Sequence, residues 1–162
     1  MNSLDYGTRS PRLARWFADY ASCHQTKGNQ ITHYFGIPMI MTAILGLLAR
    51  LQFGPEGASI WMTIDGGKIL WLVASLWYLT LDAGLALPFI LVSALLYVAG
   101  IGLSVPVLWG LFIVGWIFQF IGHIVYEKES PAFFRNILQL LIGPLWIFSK
   151  VLRGARRPAR SS

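Results

Sequence analysis

The sequence is poor in charged residues. Only 12% of its 162 residues are Asp, Glu, Lys or Arg, whereas a soluble globular domain usually carries about a quarter, and 56% are hydrophobic. This deficit indicates that lipid, rather than water, solvates much of the surface. At this length a single membrane-embedded domain is expected over residues 1–162, with flexible tails at residues 1–11 and 153–162.

Cysteine and histidine are scarce as well. Cys23 is the only cysteine, which excludes an intramolecular disulfide. The three histidines are too few for a membrane di-iron hydroxylase or desaturase, because those enzymes need several HxxH-type clusters. Residues 1–30 are polar and basic and lack the apolar run of a cleavable signal peptide, so none is expected.

The charges that are present are mostly positive and lie outside the apolar runs. The formal net charge is +6. Basic residues on the N-terminal side of the first span and near the C-terminus include Arg9, Arg12, Arg15, Lys150, Arg153, Arg156, Arg157 and Arg160. Basic clusters that flank membrane spans act as orientation signals and as contacts to anionic lipid, so no nucleic-acid partner is expected.

Four apolar runs predict membrane-spanning helices. They lie at about residues 34–53, 69–81, 85–100 and 105–126. A helix needs roughly 20 apolar residues, and at least about 17, to cross the hydrocarbon, so the second and third runs must borrow flanking residues. Residues 12–23, before the first run, have the spacing of an amphipathic helix, which lies either on the membrane surface or on the protein itself.

A fifth apolar run, at about residues 136–152, contains Gly143-Pro144, which ends or kinks a helix. The positive-inside rule places the arginine-rich N-terminus in the cytoplasm, and four crossings then return the chain to that side. The basic C-terminal tail remains cytoplasmic only if the fifth run does not cross. The predicted fold is therefore all-α, a multi-pass membrane helical bundle. It has about four transmembrane helices, an N-terminal amphipathic helix and a kinked, re-entrant or interfacial C-terminal element.

This topology brings the three histidines to one face of the membrane, the cytoplasmic face. His24 and His33 lie just before the first span, and His123 lies near the end of the fourth. Neutral imidazole is the commonest metal ligand, so three imidazoles at one depth predict a metal site, although a lone intramembrane histidine is more often a packing residue. Since His24 and His33 would point to opposite sides of one continuous helix, a break is expected at Lys27-Gly28.

Further polar residues accompany the histidines. Gln119, His123 and Glu127 are spaced by four, which predicts one polar stripe on the fourth span. Ionisable groups inside a membrane segment face a bundle interior or a cavity. Glu127 is therefore expected to be either a fourth ligand or an acceptor for an imidazole N–H, whereas Asn29 and Gln119 are candidates to orient water or substrate.

Two blocks of the sequence carry a family resemblance. Residues 20–38 match the pattern Y-x3-H-x4-N-x3-H-x2-G-I-P, and residues 119–132 match QFxGHxx(F/Y)E-x3-PA. Together and in this order they resemble the membrane-embedded 2-hydroxy fatty acid dioxygenase family, over about residues 13–152. Many relatives have Asn-Pro after the first histidine, where residues 25–28 of this chain read QTKG; the difference alters a loop and removes no candidate ligand.

The resemblance implies an iron(II)-dependent fatty acid α-oxidation. A 2-hydroxy fatty acid would react with O₂, without 2-oxoglutarate, according to R–CHOH–COOH + O₂ → R–COOH + CO₂ + H₂O. The acyl tail would lie among the spans and the head group would reach a metal at the cytoplasmic face. The implied metal ligands are His24, His33 and His123, and the residues implied to act in catalysis are Tyr20, Asn29, Gln119 and Glu127.

Two other functions remain open from the sequence. A haem protein with two axial histidines needs only a pair of histidines on facing helices, and His33 with His123 would serve. A small membrane scaffold or lipid-binding protein without catalysis would also have this composition, and its histidines would be dispensable.

Overall fold

The computed structural model describes residues 8, 10–55, 59 and 62–156, and this part of the chain is mostly helical. Its α-helices are α1 (Pro11–Ser22), α2 (Lys27–Leu48), α3 (Gly66–Leu81), α4 (Ala83–Ile101), α5 (Val105–Ile121) and α6 (Gln139–Arg156). A π-helix, Gly122–Glu127, continues α5, and a 3-10 turn, Ala132–Phe134, precedes α6. The strands β1 (Gln52–Phe53) and β2 (Ile64–Asp65) form a short antiparallel hairpin between α2 and α3. The predicted all-α bundle is confirmed.

The helix α2 lies at the centre of the bundle and contacts α3, α4, α5 and α6. Two of its glycines allow neighbouring backbones to approach closely. A Cβ at Gly36 would lie 2.8 Å from the carbonyl oxygen of Gly115 in α5, and a Cβ at Gly46 would lie 2.8 Å from that of Gly100 in α4. Small residues at such crossings are typical of helix packing in membranes. The central position of α2 sets the place of the histidine that it carries.

Within the described residues, three helices are long and apolar enough to cross a membrane, namely Lys27–Leu48, Ala83–Ile101 and Val105–Glu127, the last including the π-helix. The apolar helix α3 has only 16 residues. Large apolar side chains are exposed on the outer faces of the bundle, for example Leu91 at 69%. Exposed apolar surface on this scale fits a lipid environment. The number of crossings and the orientation of the chain stay predictions.

The amphipathic helix α1 packs on the protein itself, which is one of the two positions that the sequence left open. Leu13 and Phe17 are fully buried, Tyr20 is 5% exposed, and the helix contacts α6. The side chain of Ser10 caps the helix by accepting a hydrogen bond from the amide of Leu13 at 3.2 Å. This packing brings the end of α1, and the residues that follow it, against the centre of the bundle.

Several element boundaries differ from the sequence prediction. The first spanning helix begins at Lys27 rather than near residue 34, because Thr26 caps it through the amide of Asn29 at 3.3 Å. The predicted break at Lys27-Gly28 therefore falls earlier, at residues 23–26. Gly143-Pro144 was expected either to end or to kink a helix. The helix α6 continues through Pro144, so the proline does not end it.

Candidate metal centre

Three buried imidazoles converge at one end of the bundle. His24 lies in the turn between α1 and α2, His33 lies in α2, and His123 lies in the π-helix that continues α5. Each is at most 2% exposed. One ring nitrogen from each lies within 4.8 Å of the other two. Because no two of these side chains come from the same helix, the cluster forms only when the three elements pack together.

Backbone carbonyls fix the orientation of two of the rings. His24 Nδ1 lies 2.6 Å from the carbonyl oxygen of Tyr20, and His33 Nδ1 lies 2.9 Å from that of Asn29. Since a carbonyl only accepts, each Nδ1 carries the proton and each Nε2 keeps a free lone pair. The two Nε2 atoms are 3.1 Å apart. Two lone pairs at this separation repel each other unless a cation or a shared proton lies against both.

The donor set fits a divalent metal ion. Two imidazole nitrogens that bind one metal ion at about 2.1 Å, with a right angle between the two bonds, would be about 3.0 Å apart. The Nε2 atoms of His24 and His33 are separated by nearly this distance. The buried Nδ1 of His123 has no hydrogen-bond partner among the described residues. Burial, with a smaller effect of His33, lowers the pKa of His24 to about 2. At neutral pH no proton therefore lies between the Nε2 atoms of His24 and His33. Imidazole ligands suit Fe, Zn, Cu and Ni alike, so the residues do not single out one metal.

The carboxylate of Glu127 does not face the imidazoles. One oxygen accepts the amide of Gln25 at 2.7 Å. The other accepts the amide of Thr26 at 3.0 Å, the hydroxyl of Thr26 at 2.8 Å and the side-chain amide of Asn29 at 3.1 Å. These four bonds hold the turn that carries His24 against the end of the π-helix. Glu127 was expected as a possible acceptor for an imidazole N–H. For His24 and His33 the acceptor is a backbone carbonyl instead.

The π-helix explains why the predicted polar stripe is incomplete. A spacing of four keeps side chains on one face of an α-helix, but the turn of a π-helix is wider because its hydrogen bonds run from i to i+5. Gln119 and His123 line the same cavity, whereas Glu127 is turned towards the loop before α2. The π-helix ends at Lys128, whose φ of 59° is in the left-handed region. The sequence-based stripe therefore holds for two of its three members.

An apolar cavity of about 380 Å³ opens beside the three imidazoles. All three line it, together with Gln119 and with Tyr20, whose ring stacks on His24. The remaining wall is formed mainly by apolar side chains of α2, α3 and α6, for example Ile37, Ala74 and Leu141. This volume is within the usual range for small-molecule sites, and the arrangement suits a ligand with a polar head and an apolar tail.

The other predicted site residues take different positions. The ring of Tyr20 stacks on His24, with centroids 3.9 Å apart and planes 9° apart. Gln119 is 6% exposed, and its Nε2 has no hydrogen-bond partner among the described residues. Asn29 is fully buried, but it is not part of the cavity wall and binds the carbonyl of Cys23 as well as Glu127. Tyr20 and Gln119 can therefore contact a ligand, whereas Asn29 and Glu127 brace the loop behind the site.

The sequence reasoning missed the residues that α6 contributes. Gln139 is 1% exposed and lines the cavity, and its Nε2 binds the carboxylate of Asp19 in α1. Trp146 packs on Tyr20 and His24, with ring centroids 5.2 and 5.8 Å apart. A glutamine inside an apolar run was the one signal in the sequence that pointed to Gln139. No local pattern marks Trp146, because its place beside His24 depends on how α6 docks.

Two comparisons with known proteins found a match to this sequence. A family model described as "2-hydroxy-palmitic acid dioxygenase Mpo1-like" matches residues 11–156. The 2-hydroxy-palmitic acid dioxygenase MPO1 of Saccharomyces cerevisiae is 30% identical over 138 residues, which cover 82% of this chain and 75% of the relative. No solved structure matches the chain.

Proposed function

The chain belongs to the Mpo1-like family, and on that premise we propose that it is an iron(II)-dependent membrane dioxygenase acting on 2-hydroxy fatty acids. The reaction is R–CHOH–COOH + O₂ → R–COOH + CO₂ + H₂O, so the product is one carbon shorter. The substrate supplies all four electrons that reduce O₂, and no 2-oxoglutarate is needed.

One observation carries this proposal: three buried imidazoles meet in the wall of a mainly apolar cavity. His24, His33 and His123 would hold the ion. Bound iron(II) would supply O₂ activation and an anchor for the carboxylate and the 2-hydroxyl group of the substrate. Three protein ligands would leave room on the ion for a chelating hydroxy acid and for O₂.

Two side chains at the cavity wall are suited to orient the acid. Burial raises the pKa of Tyr20 well above its usual value, so its hydroxyl stays protonated and can donate a hydrogen bond to a carboxylate. The buried Nε2 of Gln119 lacks a partner among the described residues and is a second donor at the same end. A 2-hydroxy acid whose carboxylate was held by these donors would present its hydroxyl group towards the imidazoles.

The apolar wall of the cavity has a separate task. It buries the acyl tail and keeps water away from the reacting end, which strengthens the hydrogen bonds of the head group. We also infer the topology from charge alone: both termini and the metal centre lie on the cytoplasmic side, and residues 1–162 form one membrane-embedded domain.

The test is to purify the protein without oxygen, in detergent or nanodiscs, and to measure its metal content and its products. We expect about one iron per chain and, once O₂ is admitted, a fatty acid one carbon shorter than the 2-hydroxy acid supplied. A 3-hydroxy acid of equal length is the matched control, because it lacks the α-hydroxy acid chelate and should give no shortened product.

Two further observations, a spectrum of this preparation and the phenotype of histidine variants, separate the rival functions. A Soret band would indicate haem rather than a non-haem ion. Full retention of the phenotype linked to the gene when the three histidines are changed to alanine would favour a scaffold without catalysis. Stoichiometric iron without product from any 2-hydroxy acid would contradict the proposed reaction while leaving the metal site in place.

A further inference from the structure

We propose that Trp71 closes the far end of an acyl-chain channel and thereby sets the longest 2-hydroxy fatty acid that the protein accepts. The inference rests on the proposed function for the identity of the substrate. It concerns the part of the cavity that lies farthest from the histidines, where no residue has been given a role so far.

The depth of the channel follows from α2. His33, Ile37, Met41 and Leu45 are spaced by four and all line the cavity, so one face of α2 forms its wall from end to end. Leu45 lies twelve residues beyond His33, and a rise of about 1.5 Å per residue places it about 18 Å deeper. An extended chain advances at most about 1.2 Å per bond, so this depth accommodates roughly 15 bonds of an acyl tail.

The far end of the channel is closed by a separate hydrophobic cluster. Leu45 and Tyr97 are buried there, and Leu70 and Trp71 of α3 pack against them. Leu70 and Trp71 also line the cavity, whereas Tyr97 does not, so the indole is on the boundary between the channel and the packed interior behind it. A bound acyl tail that reached this point would meet the indole and the cluster packed behind it.

A hydrogen bond keeps the indole in place. Trp71 Nε1 donates to the hydroxyl of Ser93 in α4 at 3.1 Å, and the carbonyl oxygen of Ile90 lies 3.4 Å away. Ser93 itself is 6% exposed and donates to the same carbonyl at 3.0 Å. A large side chain fixed at its polar tip cannot swing aside cheaply, because its N–H would then lose its partner in an apolar environment. Trp71 is therefore a specificity-determining residue rather than a flexible lid.

The test uses saturated 2-hydroxy fatty acids that increase in length by two carbons at each step. Trp71→Ala should lengthen the channel and shift the optimum of kcat/KM to longer acids. Each methylene newly buried is worth roughly a fourfold gain in binding, so an acid longer by two carbons should gain on the order of tenfold relative to the wild-type optimum. Ala74→Leu, which fills the channel wall on the same helix, should shift the optimum to shorter acids. Trp109→Ala removes an indole that is 51% exposed on the outside of α5 and should leave the profile unchanged.

A second measurement does not depend on turnover. Acids of each length are added to the iron-loaded protein with O₂ excluded, and the rise in Tm that each one produces is recorded, since a ligand stabilises the state to which it binds. The length that stabilises most should move in opposite directions in Trp71→Ala and Ala74→Leu. An unchanged length profile in both variants, with turnover retained, would overturn the channel. Length-dependent stabilisation that shifts as expected, without product from any acid, would support the channel and contradict the proposed reaction.

Discussion

The prediction with the most structural detail concerns Glu127→Gln. The carboxylate accepts four hydrogen bonds from Gln25, Thr26 and Asn29, and every partner is a donor towards it. A glutamine keeps one acceptor oxygen and places an NH₂ group where the second oxygen was. In its better orientation the oxygen retains the contacts to Thr26 and Asn29, and the NH₂ group then faces the amide of Gln25.

The size of the effect follows from these bonds. A hydrogen bond to a charged group contributes about 1.5–3 kcal/mol net, and a neutral one about 0.5–1.5 kcal/mol. Glu127→Gln loses one charged bond and weakens the others, and water can replace part of the loss because the side chain is half-buried. We therefore expect a loss of about 2–4 kcal/mol in the free energy of unfolding, and a larger loss for Glu127→Ala.

The metal centre should respond as well, because residues 25 and 26 immediately follow His24. Groups that orient metal ligands typically change affinity or activity by about 10–100-fold when they are removed. We expect Glu127→Gln to retain iron with a loss of affinity near tenfold, and Glu127→Ala to approach the upper end. The assays are thermal unfolding in detergent and competition for the metal with a chelator of known affinity.

Glu129→Gln is the matched control, since it makes the same chemical change at an exposed position two residues away and should alter stability by less than about 0.5 kcal/mol. A second control is the double-mutant cycle with Thr26→Ala, where the effects should not add because the two side chains bind each other. If Glu127→Gln behaves like Glu129→Gln, the bonds to the loop have no energetic role. If it strips the metal completely while the protein stays folded, the carboxylate is itself a ligand.

Three further predictions address the site, the packing and the topology. His24→Ala, His33→Ala and His123→Ala should each abolish both metal retention and turnover. If one of these variants kept stoichiometric iron and the full rate, the histidine that it lacks would not be a ligand. Gly36→Ala places a Cβ 2.8 Å from a backbone oxygen of α5 and should destabilise the protein by about 1–3 kcal/mol, whereas Gly110→Ala, with nothing within 4 Å of the new Cβ, should be neutral or stabilising by up to about 1 kcal/mol. Cysteines introduced at Ser3 and Ser161, both outside the described residues, in a Cys23→Ser background should be labelled from the same side of the membrane; labelling from opposite sides would mean that the element containing α6 crosses it.

The sequence by itself determined the features that depend on local pattern. Apolar runs of the right length indicated the helices, because each must satisfy its backbone within itself and present apolar side chains to lipid. Counting the crossings placed His24, His33 and His123 near the same face, and the structure brings them together. The family blocks at residues 20–38 and 119–132 narrowed the chemistry to one class of reaction, with which the comparisons agree.

The tertiary structure alone decided how these pieces face one another. The π-helix turned Glu127 away from the stripe that its spacing predicted, and the carboxylate found its partners about a hundred positions away in the chain, at residues 25–29. The docking of α6 brought Gln139 and Trp146 to the site, and the packing of α3 against α4 placed Trp71 at the end of the cavity. Periodicity fixes which face of a helix is apolar or polar, since it is a property of neighbouring residues. The rotation and depth of one helix against another depend on side chains that are distant in sequence, so they emerge only when the whole bundle packs.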